Sequence, residues 1–103
     1  MEVRRIKYER TGGFTGIPFR ADFRPGDLPE EQSRTLLDLL DEVDFDELPE
    51  DLTGNQAHPD QFTYRITVES DEGEHTVLIG DASDSDEMRE LLRLLDRIAR
   101  KPR

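Results

Sequence analysis

Apolar positions recur along this chain with two different periods, and their order predicts its elements. Val3, Ile6 and Tyr8 give an imperfect alternation over Val3 to Arg10, the mark of a strand with an irregularity near Arg4 and Arg5. Ile17, Phe19, Ala21 and Phe23 alternate cleanly with Pro18, Arg20 and Asp22, which predicts a second, half-buried strand; Pro18 places its start at an edge or a strand beginning. The period then lengthens. Asp27-Leu28-Pro29-Glu30 offers a capping residue, an early proline and a glutamate three positions on, so a helix is expected to start there, with Leu36, Leu37, Leu40 and Val43 on its buried face.

The stretch from Asp44 to Asp60 has no period and is broken by Pro49, Gly54-Asn55 and Pro59, so it reads as a connection whose Phe45, Leu48 and Leu52 tuck against the core. Phe62, Tyr64, Ile66 and Val68 alternate with Thr63, Arg65 and Thr67 in the clearest strand of the chain. A turn over Ser70 to Glu74 then leads into a partner strand from His75 to Ile79, and the two should form a hairpin. Ser83 to Asp86 can cap a final helix whose Met88, Leu91, Leu92, Leu95, Ile98 and Ala99 share one face, with Arg97, Arg100 and Lys101 at its C-terminal end. The order β-β-α-β-β-α with one-sided strands and amphipathic helices predicts an α+β fold: a four-stranded, mainly antiparallel sheet with both helices on one face. Thr63, Arg65, Thr67 and Glu69 would lie on the other, solvated face, as a bare surface or a docking surface. The pattern leaves strand order open.

A chain of 103 residues suits one two-layer domain, taken here as residues 1–103. Only 33% of residues are hydrophobic and 38% are charged, and the periodic runs are what argue against disorder. The absence of cysteine excludes disulfides, thiolate metal sites and a cysteine nucleophile, so stability must come from packing. No apolar run reaches the length of a bilayer span, and the first residues lack the apolar stretch of a secretory signal; a cytoplasmic protein with no membrane partner is expected.

Charge is unevenly spread. Residues 1–24 carry six Lys/Arg against three Asp/Glu, residues 25–86 two against nineteen, and residues 87–103 six against three, within a net charge of −11. Such a field repels nucleic acid and favours a cationic partner along the middle segment, although a solvated acidic surface needs no partner at all. Two lysines beside twelve arginines also suit a high-salt cytoplasm.

Candidate chemistry is sparse. His58-Pro59-Asp60 matches a co-chaperone tripeptide but stands before a strand rather than between two long helices. The run from Asp81 to Glu87 begins like a calcium loop, yet its sixth position is Asp86 instead of glycine and its twelfth is Leu92 instead of glutamate. His58 and His75, the only histidines, have no ligand-spaced partners, so no metal or cofactor is expected, and an enzyme built on either has little to support it. Arg89, Arg93 and Arg97 make a basic stripe that should pair with local carboxylates. By elimination the chain reads as a binding module.

One loop fits that reading. In Glu9-Arg10-Thr11-Gly12-Gly13-Phe14-Thr15-Gly16-Ile17, glycines surround an aromatic residue between two strands. Gly12, Gly13 and Gly16 would allow a projecting turn with Phe14 near its apex, or a wide hairpin with Phe14 folded back on the core.

Tyr8 to Ile17, Phe45-Asp46-Glu47-Leu48-Pro49, Pro59 to Glu69 and His75-Thr76-Val77 together resemble the emfourin family, small bacterial proteinaceous inhibitors of thermolysin-like zinc metalloproteases of the protealysin type. The Gly-Gly-Phe-x-Gly tip and the Pro-Asp-x-Phe-x-Tyr lead-in to the third strand carry the resemblance most specifically. It implies a non-enzymatic cytoplasmic inhibitor, monomeric when free, whose wedge-like end enters the protease's substrate cleft. Thermolysin-like proteases favour a large apolar side chain just after the scissile bond, which makes Phe14 the expected anchor and Ile17 the alternative. Gly12, Gly13, Phe14, Thr15, Gly16 and Ile17 form the expected protease-binding site, with a second contact from Met1, Glu2 or Val3. Whether that N-terminal trio lies near the tip depends on the direction of the first strand. Alternatively, a non-inhibitory module would bind its partner on the exposed sheet face.

Overall fold

The alternation from Phe62 to Val68 becomes the centre of the sheet. In the computed structural model, which describes residues 2–12, 19–52, 62–80 and 86–100, the strands are β1 (Val3–Gly12), β2 (Phe19–Phe23), β3 (Asp51–Leu52), β4 (Phe62–Ser70) and β5 (Gly73–Gly80). They lie in the order β2-β1-β4-β5-β3. Four of them pair antiparallel as expected, and β4 bonds to a neighbour on each side: Ile66 opposes Tyr8 of β1 and Val77 of β5. The register shifts between Val3 and Arg5, which is the irregularity read from the broken alternation.

A short fifth strand was not legible. Asp51 and Leu52 pair in parallel with Leu78 and Ile79, after the Leu78 N–H has donated to the Glu50 carbonyl at 2.8 Å. Two residues are too few to show a period.

Both helices, α1 (Glu30–Glu42) and α2 (Asp86–Arg100), cover the same face of the sheet. Ile6, Tyr8, Phe23, Ile66, Val68, Val77 and Ile79 point from the strands into one core with Leu36, Leu39 and Leu40 of α1 and Met88, Leu91, Leu92, Leu94, Leu95 and Ile98 of α2. Each large side chain so buried contributes on the order of 2 kcal/mol. Phe45, carried by a 3₁₀ turn at Phe45–Glu47, is fully buried beside them, and Leu48 packs against the cluster. The ring of His75 meets Phe45 edge-on at 5.6 Å, and its Nε2 donates to the Leu48 carbonyl at 2.9 Å, which fastens the irregular connection to β5.

Two expectations for α1 are corrected. Asp27 does not cap it. Leu28 precedes a proline and is therefore driven to extended backbone, φ −98° and ψ 156°, so no helix can run through it. Asp27 instead closes a separate 3₁₀ turn at Pro25–Asp27, its carboxylate accepting the Arg24 N–H at 3.0 Å, and α1 begins after Pro29. The buried stripe is also rotated: Leu39 is buried and Leu37 is exposed. Positions 36, 39, 40 and 43 are spaced i, i+3, i+4, i+7, whereas Leu37 lies about 100° around the helix from Leu36.

The opposite sheet face is charged and paired. Arg5 grips Asp22 through two bonds of 2.6 and 2.7 Å, Arg20 meets Glu9 at 2.9 Å, and Lys7 approaches Glu69 at 3.9 Å. Among these charges Thr67 is buried, its hydroxyl bonded to that of Thr76 on β5 at 2.9 Å. On α2, Arg89 pairs with Asp86. The expected cap at Ser83 lies outside the described residues.

Candidate functional site

The direction of β1 sorts the expected site residues. It starts at Val3 opposite Ser70 and ends at Gly12 opposite Phe62. Nine steps of about 3.3 Å separate its ends by roughly 30 Å. Glu2 and Val3 therefore sit beside the β4–β5 turn, where the Glu2 N–H donates to the Asp71 carboxylate at 2.7 Å and the Asp71 N–H returns a bond to the Glu2 carbonyl at 3.1 Å. That bond from Glu2 holds the Asp71 carboxyl below its usual value. Gly12 sits at the other end of the sheet. Gly13, Phe14, Thr15, Gly16 and Ile17, like Met1, lie outside the described residues, which stop at Gly12 of β1 and resume at Phe19 of β2. The tip's flanks and the described part of the N-terminal trio are thus at opposite ends of the sheet.

Gly12 has φ +99°, a backbone region that disfavours side chains, so glycine is required where β1 gives way to the tip. Around it three strand ends converge. Phe19, the first residue of β2, opposes Arg10; Phe62, the first residue of β4, opposes Gly12.

Arg10 occupies the centre of this end. Alternation places it on the same face as Ile6 and Tyr8, which turns a guanidinium toward the helices. It lies between two rings, 4.9 Å from the centroid of Phe19 and 4.6 Å from that of Phe62. Its Nη1 donates to both carboxylate oxygens of Asp96 on α2, at 2.8 and 2.9 Å. Both side chains are about four-fifths buried, at 21% and 18% exposure. Asp96 also accepts from the Tyr8 hydroxyl at 3.1 Å and forms an ion pair with Arg100 Nη2 at 3.1 Å, while Arg100 itself reaches over Phe19 at 5.9 Å. Burial, followed by the negative charge of Asp96 and the hydrogen bond to it, pushes the Tyr8 phenol far above its ordinary range. Tyr8 stacks on Tyr64, which in turn meets Phe62 at a tilt, each pair 6.4 Å apart.

This cluster was not foreseen. Its signal was an arginine at an inward-facing strand position, which demands a buried partner. Nothing local identified that partner as Asp96, 86 residues away.

Among the described residues, no group of three or more His, Asp or Glu side chains is arranged to hold a metal ion. His75 is engaged as a strut; His58 lies outside the described residues. The geometry is that of a braced platform for a loop.

A small α+β fold with one face of its sheet covered by two helices, and an arginine-braced sheet end at Gly12 and Phe19, is the class of structure defined here. The Emfourin family model matches residues 8–96, so the chain belongs to that family. A solved structure, Emfourin (M4in) from Serratia proteamaculans, described as an M4 family peptidase inhibitor, is similar to it at 21% identity over 90% of this chain and 87% of that one, with a TM-score of 0.46. No curated protein matches the chain.

Proposed function

We propose that this chain is a proteinaceous, non-enzymatic inhibitor of a thermolysin-like, protealysin-type zinc metalloprotease, and that residues 12–17 enter the substrate cleft. Membership of the Emfourin family across residues 8–96 carries the reading. In it, Phe14 occupies the pocket that receives a large apolar side chain after the scissile bond, and the glycine backbone lies along the cleft. Burying such a ring contributes about 2 to 3 kcal/mol. The braced strand ends at Gly12 and Phe19 support the choice of this end. On the opposite sheet face, where the alternative docking reading would place the partner, Arg5–Asp22 and Arg20–Glu9 already pair across strands. Glu2 and Val3, roughly 30 Å away along β1, are not part of the proposed contact. The inhibitor acts as a cytoplasmic monomer formed by the whole chain as one domain.

Titrating the purified protein against thermolysin-like metalloproteases while following residual peptidase activity tests this. Activity is expected to fall to zero near one equivalent, with the inhibitor recovered uncleaved. Full activity at excess inhibitor across several such proteases would contradict the proposal.

A further inference from the structure

We propose that Arg10 is the positioning residue of the inhibitory end: stacked between Phe19 and Phe62 and anchored on Asp96, it fixes the points where the chain leaves β1 and re-enters β2. This rests on the inhibitor reading above and deepens it.

Arg10 is two residues before Gly12, where β1 ends, and directly opposite Phe19, where β2 begins. Phe62 begins β4. One side chain therefore ties together three strand ends, two of which flank the tip. Terminal rungs are where strands fray, and β2 is a five-residue edge strand that pairs with β1 alone. Backbone pairing by itself holds such an end weakly.

A guanidinium is planar, so its two faces can lie against rings while its edge donates to a carboxylate. Arg10 Cζ lies over both rings, 4.9 and 4.6 Å from their centroids, and its Nη1 bonds to Asp96 at 2.8 and 2.9 Å. Lysine would keep the charge and lose the plane. Asp96 is in turn carried by α2, whose neighbouring Leu95 is fully buried, so the anchor is referred to the rigid core.

A loop ordered before association loses less conformational entropy on binding, and the advantage appears chiefly as slow dissociation. The ring and carboxylate partners of Arg10 are Phe19, Phe62 and Asp96, none of them among the fully buried core residues such as Ile6, Leu36, Ile66 and Leu95. Affinity and stability should therefore separate.

The experiment compares wild type, Arg10→Lys, Phe19→Leu and Phe19→Tyr. Dissociation rates from a thermolysin-like metalloprotease are measured beside melting temperature and amide exchange at Gly12 and Phe19. Arg10→Lys and Phe19→Leu are expected to dissociate about tenfold faster, with faster exchange at these two amides and unchanged exchange at Ile66. Phe19→Tyr keeps the ring and should behave as wild type. Because Phe19→Leu leaves Arg10 paired with Asp96, it reports on the stacking even if Arg10→Lys folds poorly. Wild-type dissociation rates in both Arg10→Lys and Phe19→Leu, with exchange at Gly12 and Phe19 accelerated, would overturn the positioning role and leave the inhibitor reading standing. Absence of inhibition by the wild-type chain would overturn the inhibitor reading and this proposal with it.

Discussion

The Tyr8 hydroxyl donates to Asp96 Oδ1 at 3.1 Å, joining the middle of β1 to the last turns of α2 inside the same cluster that holds Arg10. Tyr8 is 1% exposed, and ionising its phenol there would set a second negative charge against Asp96. The folded state therefore keeps the proton at pH values where the unfolded chain, titrating near 10.0, has lost it.

A raised pKa in the folded state gives stability that is complete below the unfolded pKa and lost as pH rises past it. Alkaline unfolding should thus steepen above pH 10, with Tyr8 accounting for about 1.4 kcal/mol per pH unit. Urea titrations between about pH 9 and 12 measure it, and Tyr8→Phe should remove that part of the slope. An unchanged slope in Tyr8→Phe would mean that the phenol ionises freely in the fold.

Phe45 has no period to announce it, yet it is completely buried, edge-on to His75. Phe45→Ala is expected to cost about 3 to 5 kcal/mol, read as a lowered urea midpoint with an unchanged denaturant slope. A cost near that of a surface substitution would show that the connection between α1 and β4 packs loosely.

The phase of α1 is testable at two adjacent leucine pairs. Leu39→Ala should cost about 2 to 5 kcal/mol, because the side chain is 5% exposed, while Leu37→Ala should cost less than about 1 kcal/mol. Equal losses, or the reverse order, would return the buried face to the one read from the sequence.

That pair also shows where sequence reading stopped. Leu36-Leu37 and Leu39-Leu40 admit two helix phases, and only packing against α2 and the sheet selects between them. The hairpin of β4 and β5, the core face of α2 and the irregularity in β1 were legible because each is a local period or a break in one. Asp27 misled because its capping spacing was right while Leu28, ahead of Pro29, could not be helical. The glycine-rich tip itself lies outside the described residues, while its flanks at Gly12 and Phe19 stand at one sheet end. Its separation from Glu2 and Val3 followed from the course of β1, and the Arg10–Asp96 brace from a contact between distant segments. Neither leaves a local pattern.

The most direct test of the inhibitory wedge compares dissociation constants of wild type, Phe14→Ala and Arg65→Ala for one thermolysin-like metalloprotease, with circular dichroism confirming that each is folded. Phe14→Ala is expected to weaken binding at least about tenfold, and Arg65→Ala, on the opposite sheet face, to leave it unchanged. Undiminished inhibition by folded Phe14→Ala together with its loss in Arg65→Ala would contradict the wedge and move the contact to the sheet.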